Sequence, residues 1–417
     1  MSPDSTPTLR PNYDVLAIRR DFPILAREVF GKPLVYLDTG ASAQKPRQVI
    51  RAMTQVMEET YSNVHRGVHF LSQACTDQFE AARETVARFI NAPEADEIVW
   101  TRGATEALNL VAATWGRANI GPGDRIVIST LEHHSNIVPW QMLRDETGTE
   151  LAVIPVDDAG EIDLDAYAGL LDGRTKLVSV THVSNSIGTV LPIKQMAQMA
   201  HDKGALFMVD GCQAAPHMPV DVQDLDVDFY CFSGHKTYGP TGIGALWGRK
   251  ALLDAMPPYQ GGGEMIAHVT FEKSTFKDAP HKFEAGTPAI VEAVGLGAAL
   301  DYIEAVGRDA ILAHETDVAE YARERLSALP GVRIVGDAQE RGAIVSFTME
   351  QAHPHDIGTI IDRAGVAVRA GHHCAFPVME RFDVGATARA SFGLYNMKSE
   401  VDRLIEALDE VAEIFGR

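Results

Sequence analysis

Across residues 34–248, short apolar runs rich in β-branched residues alternate with amphipathic stretches, and this alternation leaves few folds open. Near-continuous apolar runs suit strands covered on both faces. Parallel strands need a long crossover between them, which the amphipathic stretches can supply as helices. The strand candidates are LVYLD, EIVWT, DRIVIST, ELAVIPV, TKLVSVTHV, ALFMVDG, VDFYCFSG and GIGALWG. Helical patterns begin between them, for example at Ala104 and Ile193, each closed by a glycine able to take a left-handed cap. The pattern predicts an α/β domain whose mainly parallel sheet is flanked by helices.

Beyond a glycine-rich stretch at 261–263 the texture changes. A long helix is predicted over about 309–329, followed by strands at RIVGD, AIVSFTM, VAVRAG and ATARASFG, a helix near His355 and a last helix from Ser399. Segregated strands and helices predict a smaller α+β domain. The expected division is an N-terminal segment, 1–30, packing with the small domain, then a large domain, 31–296, and a small C-terminal domain, 297–417.

The bulk properties agree with an enzyme-sized body. A chain of 417 residues exceeds what one core usually fills. The formal charge of -20 repels phosphate backbones and anionic lipid, so no nucleic acid and no membrane is expected as a partner. The first residues, MSPDSTPTLRPNYD, lack a signal-peptide core and no apolar run is of membrane-spanning length, so a cytoplasmic location is expected. Four scattered cysteines, Cys75, Cys212, Cys231 and Cys374, form neither a disulfide framework nor a paired zinc motif. No metal site is expected.

Several segments carry chemistry. In VDFYCFSGHKTYGPTGIG an apolar strand ends and Lys236 follows in a glycine-rich turn, where desolvation favours the neutral amine that forms a Schiff base with an aldehyde. In ALFMVDGCQAAPH, Asp210 ends another strand and can pair with a protonated pyridine nitrogen. In TRGATEALN a strand-to-helix turn offers backbone N–H groups near Ala104 and the Thr105 hydroxyl to a phosphate at a helix N-terminus. In LEHHSNIVPW either His133 or His134 could stack on a ring and shuttle protons. In VRAGHHCAFPVM, Cys374 stands among Arg369, His372 and His373, whose positive charge would raise its thiolate fraction. Arg389 in ATARASFG is suited to clamp a carboxylate.

With these residues in view, the chain resembles the fold-type I pyridoxal-5'-phosphate (PLP) enzymes of the class V aminotransferase group, and within it the SufS-type (group II) cysteine desulfurases. The resemblance runs from LVYLDTGASAQKP through NVHRGVHFLSQ, TRGATEALN, EHHSNIVPW, HVSNSIGTV, VDGCQAAPH, SGHKTYGPTGIG, GGGEMI and FEAGTP to RAGHHCAFP and ATARASFGLYN. RAGHHCA carries the finer likeness, because the other desulfurase group has a longer, Ser-rich loop there.

The resemblance implies a large domain with a seven-stranded-type sheet and a small C-terminal domain bearing the reactive cysteine. It implies that Lys236 holds PLP, Asp210 pairs with its ring nitrogen, His133 stacks on the ring and Gln213 approaches the ring hydroxyl. Ala104, Thr105, Ser233 and His235 would hold the phosphate, helped by Thr287 from the partner subunit of a homodimer. Asn185 and Arg389 would hold the substrate, His65 and Arg369 would line the surroundings of its sulfur, and Cys374 would take that sulfur as a persulfide. The implied reaction converts L-cysteine to L-alanine and passes sulfur to a SufE-like or SufU-like acceptor for iron–sulfur cluster assembly. A selenocysteine lyase, acting on L-selenocysteine, shares the scaffold and is the alternative activity. A binding scaffold that has lost activity is the alternative of another class, and the intact set of Lys236, Asp210 and Cys374 argues against it.

Overall fold

The computed structural model describes residues 13–416. Its large sheet has seven strands: β1 (Ile98–Thr101), β2 (Arg125–Ser129), β3 (Glu150–Ile154), β4 (Thr175–Thr181), β5 (Leu206–Asp210), β6 (Phe229–Ser233) and β7 (Gly244–Gly248). Their order is β1-β7-β6-β5-β4-β2-β3. Neighbours are parallel except around β7, which runs antiparallel to both β6 and β1. The loop between β6 and β7 is too short for a crossover helix, so the chain must turn back on itself there. Side chains alternate between two cores. Val127, Phe207, Tyr230 and Phe232 enter one, while Ile126, Ile128, Met208, Phe229 and Cys231 enter the other. This period of two across a sheet covered on both faces is why the strands read as unbroken apolar runs.

LVYLD does not join this sheet, contrary to the sequence pattern. Val35–Tyr36 pairs in parallel with Val366–Ala367, and Asp38 bridges to Ser391. Val35 and Leu37 are buried in the core of the small domain beside Val366 and Ala390. An apolar run announces a buried strand without saying which sheet receives it.

The helices that matter most for the site are α1 (Phe70–Phe89), α2 (Ala104–Val111), α3 (Ile290–Val306), α4 (Arg308–Ser327) and α5 (Phe376–Arg381). Gly297 of α3 lies so close to α1 that a Cβ there would meet Ala82 at 3.1 Å. The boundary expected at 296/297 thus falls inside a helix packed on the large domain, and we place the division at Gly307, where the chain turns with φ 96°. The small domain is built on a four-stranded antiparallel sheet of β8 (Val332–Val335), β9 (Ile344–Met349), β10 (Arg369–Gly371) and β11 (Thr387–Ser391), ordered β8-β9-β11-β10. Its core is shared with α4 and with the helices Pro354–Arg363 and Lys398–Phe415.

Residues 1–12 of the expected N-terminal segment lie outside the described residues. The part that follows reaches the small domain, with the Tyr13 hydroxyl donating to the Leu394 carbonyl (2.6 Å) and Arg19 pairing with Glu400 (3.0 Å). Phe22 is buried among Tyr238, Tyr302 and Tyr395. A hairpin of Ile266–Val269 and Ser274–Phe276 follows the glycine-rich stretch, with Phe271 fully exposed at its tip. It lacks the Asn-Gly or Asp-Gly turn that would announce it. Among the described residues no helix is long and apolar enough to cross a membrane.

Candidate active site

The carboxyl ends of β5 and β6 open onto a cleft of about 180 Å³, where the large domain meets the small one. Ligands of open α/β sheets bind at such strand ends. Asp210 is the last residue of β5, Ser233 the last of β6, and Lys236 closes the 3-10 turn that follows. Lys236, Asp210, His133, Asn185, Arg369, Cys374 and Arg389 all line this one cleft.

At its floor, Asp210 Oδ1 accepts the Cys212 N–H (3.0 Å), which fixes the carboxylate at the strand end. His133, and not His134, lines the cleft. Burial, followed by the charge of Lys236, lowers the His133 pKa to about 4, so its ring is neutral at physiological pH. Its Nδ1 accepts the Ser135 N–H (3.0 Å), which leaves the proton on Nε2. Burial also lowers His235 to about 4.

Beside His133 sits Glu132, fully buried, which no sequence motif singles out. Burial pushes its pKa up to about 8, against hydrogen bonds from Ser129, from Asn136 Nδ2 (2.6 Å) and from the Thr181 N–H (3.0 Å). Asn136 in turn accepts from Ser179 (2.6 Å) and Trp140 (2.8 Å), so the segment carrying His133 is fastened to the sheet from below.

The phosphate end expected at TRGATEALN lies at the start of α2. Gly103 has φ 151°, and Gly244 approaches it so closely that a Cβ on Gly244 would meet the Gly103 Cα at 2.6 Å. One expectation is corrected here. The Ala104 N–H is not free, because it donates to Ser233 Oγ (2.9 Å) where β6 closes over the turn. Ala104, Thr105, Ser233 and His235 nevertheless share the cleft wall.

At the substrate end, Arg389 is fully buried and burial lowers its pKa. It donates to the Asn185 carbonyl (2.6 Å) and to Asp38 Oδ1 (3.3 Å), while its Nε is buried without a partner. Asp38, also unforeseen, is shared with Arg369 at 3.8 Å.

Cys374 is exposed, and both it and His373 hold left-handed backbone (φ 56° and 54°), a region non-glycine residues avoid. The cationic surroundings expected for it need correction. Burial, with Arg389 and Arg369 nearby, drives His373 down to about 3, so that ring is neutral. Positive charge near the thiol comes instead from the arginines.

The other cysteines are buried. Burial raises Cys212 to about 12, which leaves it roughly a thousandfold less thiolate at neutral pH than an ordinary thiol. Brief treatment of the native protein with one equivalent of iodoacetamide will therefore modify Cys374 alone. Peptide mapping that found Cys212 or Cys231 alkylated at a comparable rate would refute this.

Histidine burial also sets an acid limit on stability. His182 is fully buried and held at about 4, well below the usual histidine range. A depressed folded-state pKa means that the unfolded chain binds the proton first, so stability is complete above about 6.5 and is lost as pH falls toward 4. Between pH ~7.5 and pH ~5 His182 alone removes about 2 kcal/mol. His133, His235 and His373, also depressed by burial, add to this loss and together outweigh Glu132, whose raised pKa acts the other way, so guanidinium unfolding should show a net drop between the two pH values, and equal free energies would contradict it.

Two expected site residues are not brought to the cleft of their own chain. The His65 loop is folded onto α1, with its N–H donating to Thr76 Oγ1 (2.9 Å) and its ring bonded to Glu80 (2.8 Å). Thr287 is exposed in a separate groove with Arg102 and Tyr259. Gln213 lies just behind the cleft wall, donating to the Gly40 carbonyl (2.7 Å), and its Oε1 is buried without a partner. An orphaned acceptor, a strand-end lysine and carboxylate, a neutral histidine and a small-residue helix start together fit PLP: its ring hydroxyl, aldehyde, ring nitrogen, ring face and phosphate respectively.

The chain is similar to known proteins over nearly its whole length. The family model "Aminotransferase class-V" matches residues 35–404. A probable cysteine desulfurase of Halalkalibacterium halodurans is 51% identical over 399 residues, covering 96% of this chain and 98% of that protein. A cysteine desulfurase of Klebsiella pneumoniae is 50% identical over 405 residues, covering 97% and 100%. Among solved structures, the Escherichia coli cysteine desulfurase CsdA, in an S-sulfonic acid form, superposes with a TM-score of 0.91 at 39% identity, covering 97% of this chain and 100% of that one.

Proposed function

The chain belongs to the class V aminotransferase family, and from that premise we propose that it is a PLP-dependent cysteine desulfurase, releasing L-alanine from L-cysteine and retaining the sulfur on Cys374. The observation that carries this reading is the convergence, in one cleft, of a strand-end lysine and carboxylate with a buried arginine and an exposed cysteine.

PLP, when bound, supplies an aldehyde for the amine of Lys236 and of the substrate, and an electron sink for charge developing at the substrate's Cα. Lys236 and Asp210 would hold it, with Gln213 toward its hydroxyl, His133 against its ring, and Thr105, Ser233 and His235 toward its phosphate. Arg389 and Asn185 bind the substrate carboxylate. The arginine's preorganised, desolvated guanidinium makes that contact a strong one. The Lys236 amine is the base that takes the Cα proton. Cys374 attacks the substrate sulfur as a thiolate: an S–S bond forms, the Cβ–S bond breaks, and the electron pair stays with the carbon fragment, which takes up protons and leaves as alanine. One thiol and one cysteine thus give one persulfide and one alanine, with no outside oxidant.

The short RAGHHCA segment, which forms β10 and its link to α5, supports placement with the SufS-type (group II) enzymes. Exposure of Cys374 at the cleft mouth supports delivery of sulfur to a SufE-like or SufU-like acceptor and so to iron–sulfur cluster assembly. The solvent-facing position of Thr287 and the bare apolar hairpin tip at Phe271 support a homodimer in which Thr287 reaches the partner's phosphate site. Incubating the holoenzyme with L-cysteine and a thiol reductant should yield alanine and sulfide in equal amounts. Conversion that instead required a keto acid and gave no sulfide would identify an aminotransferase.

A further inference from the structure

The Cys374 loop poses a mechanical problem. His373 and Cys374 are consecutive residues in left-handed backbone, and α5, which starts at Phe376, has no capping side chain at its own N-cap residue, Ala375. The first N–H groups of a helix need a partner from elsewhere.

One residue of the large domain answers both needs. The backbone N–H of His134 donates to the Cys374 carbonyl (2.8 Å). The His134 ring accepts, through Nε2, the backbone N–H of Phe376 (3.1 Å), and it stacks on the Phe376 ring with centroids 5.2 Å apart. Burial and the nearby His372 hold the His134 pKa below the usual histidine range, so Nε2 keeps its lone pair at neutral pH. From the other side of the loop, Asn185 Nδ2 donates to the His373 carbonyl (2.7 Å). The strained turn is therefore tied to the large domain at three places, two of them by His134.

We propose that His134 is the positioning residue of the sulfur-transfer step: from the large domain its ring caps the helix that follows Cys374, and this holds the thiol where it meets the bound substrate. His134 touches neither substrate nor cofactor in this role, and the adjacent histidines divide their work, His133 facing the cleft and His134 the cysteine loop. The proposal rests on the desulfurase reading and adds to it the residue that fixes the geometry of attack.

Small displacements of a reacting group cost rate without weakening binding, and Arg389 and Asn185 are untouched by a change at His134. In the holoenzyme, H134A should lower kcat for alanine release about tenfold and leave the KM for cysteine within about twofold. Hydrogen exchange of peptides spanning 374–381 should show the Phe376 amide losing protection in H134A. In H134Q the amide oxygen can accept the same N–H, so protection should return and kcat should recover to within about threefold of wild type.

Wild-type kcat in H134A, whatever the protection of the Phe376 amide, would overturn the proposal. So would an H134Q variant as slow as H134A despite a protected Phe376 amide. A wild-type holoenzyme that releases no alanine from cysteine would instead overturn the desulfurase reading, an outcome recognisable before any variant is made.

Discussion

Replacing Cys374 with alanine should reduce alanine release from L-cysteine by on the order of 10³-fold or more, while PLP still binds and its visible absorbance persists. The cleft contains one accessible thiol. Cys212 also lines it but is buried, and its pKa is raised by burial and the neighbouring Asp210, so it cannot serve as a substitute nucleophile. Cys75 and Cys231 lie in the cores. Without a thiolate, the substrate sulfur would have to leave as sulfide unaided, and a carbon–sulfur bond resists that more than a carbon–selenium bond does. Steady-state alanine assays on C374A decide the matter. Turnover of cysteine at the wild-type rate would mean that Cys374 is not the sulfur acceptor and would favour a selenocysteine lyase.

Lys236→Ala should be equally severe for a different reason. It removes both the amine that bonds to the PLP aldehyde and the base at the substrate's Cα, and the combined loss should be roughly 10³-fold or more. Lys236→Arg keeps the charge but cannot form the carbon–nitrogen bond, so it should fail nearly as badly. That comparison separates nucleophilicity from electrostatics. Borohydride reduction of the wild-type holoenzyme should fix PLP to Lys236, and neither variant should be labelled. Label on another lysine, or K236R activity within tenfold of wild type, would contradict the assignment.

Much of the large domain and its site is legible in the residues themselves. Strands covered on both faces read as apolar runs, and the ends of two of them lead to Asp210 and Lys236, where such sheets bind ligands. Periodicity does not specify partners, which is why LVYLD reads as a strand of the large sheet although it pairs with Val366–Ala367. The hairpin ending in Phe276 carries no turn signature and so gives no sign of itself in the sequence.

The residue pattern alone does not tell the adjacent histidines apart and only the resemblance picks His133, while the fold sends His133 to the cleft and His134 to the cysteine loop. The charge at His373 is misread in a run of polar letters because burial, invisible there, removes its proton. Glu132 and Asp38 escape notice for the same reason: an acid beside a strand reads as surface until the fold buries Glu132 and half-buries Asp38. The acid that opens EHHSN and the one that ends LVYLD are the available signals. Thr287 and His65 are reachable only through resemblance, and neither lies in the cleft of its own chain.

The most direct test of the central claim is the mass of the holoenzyme after seconds of exposure to L-cysteine without reductant. One added sulfur atom per chain is expected, mapped by proteolysis to the peptide containing Cys374 and absent from C374A. A protein that releases alanine while its Cys374 peptide keeps its original mass, or gains sulfur at another cysteine, would contradict that claim.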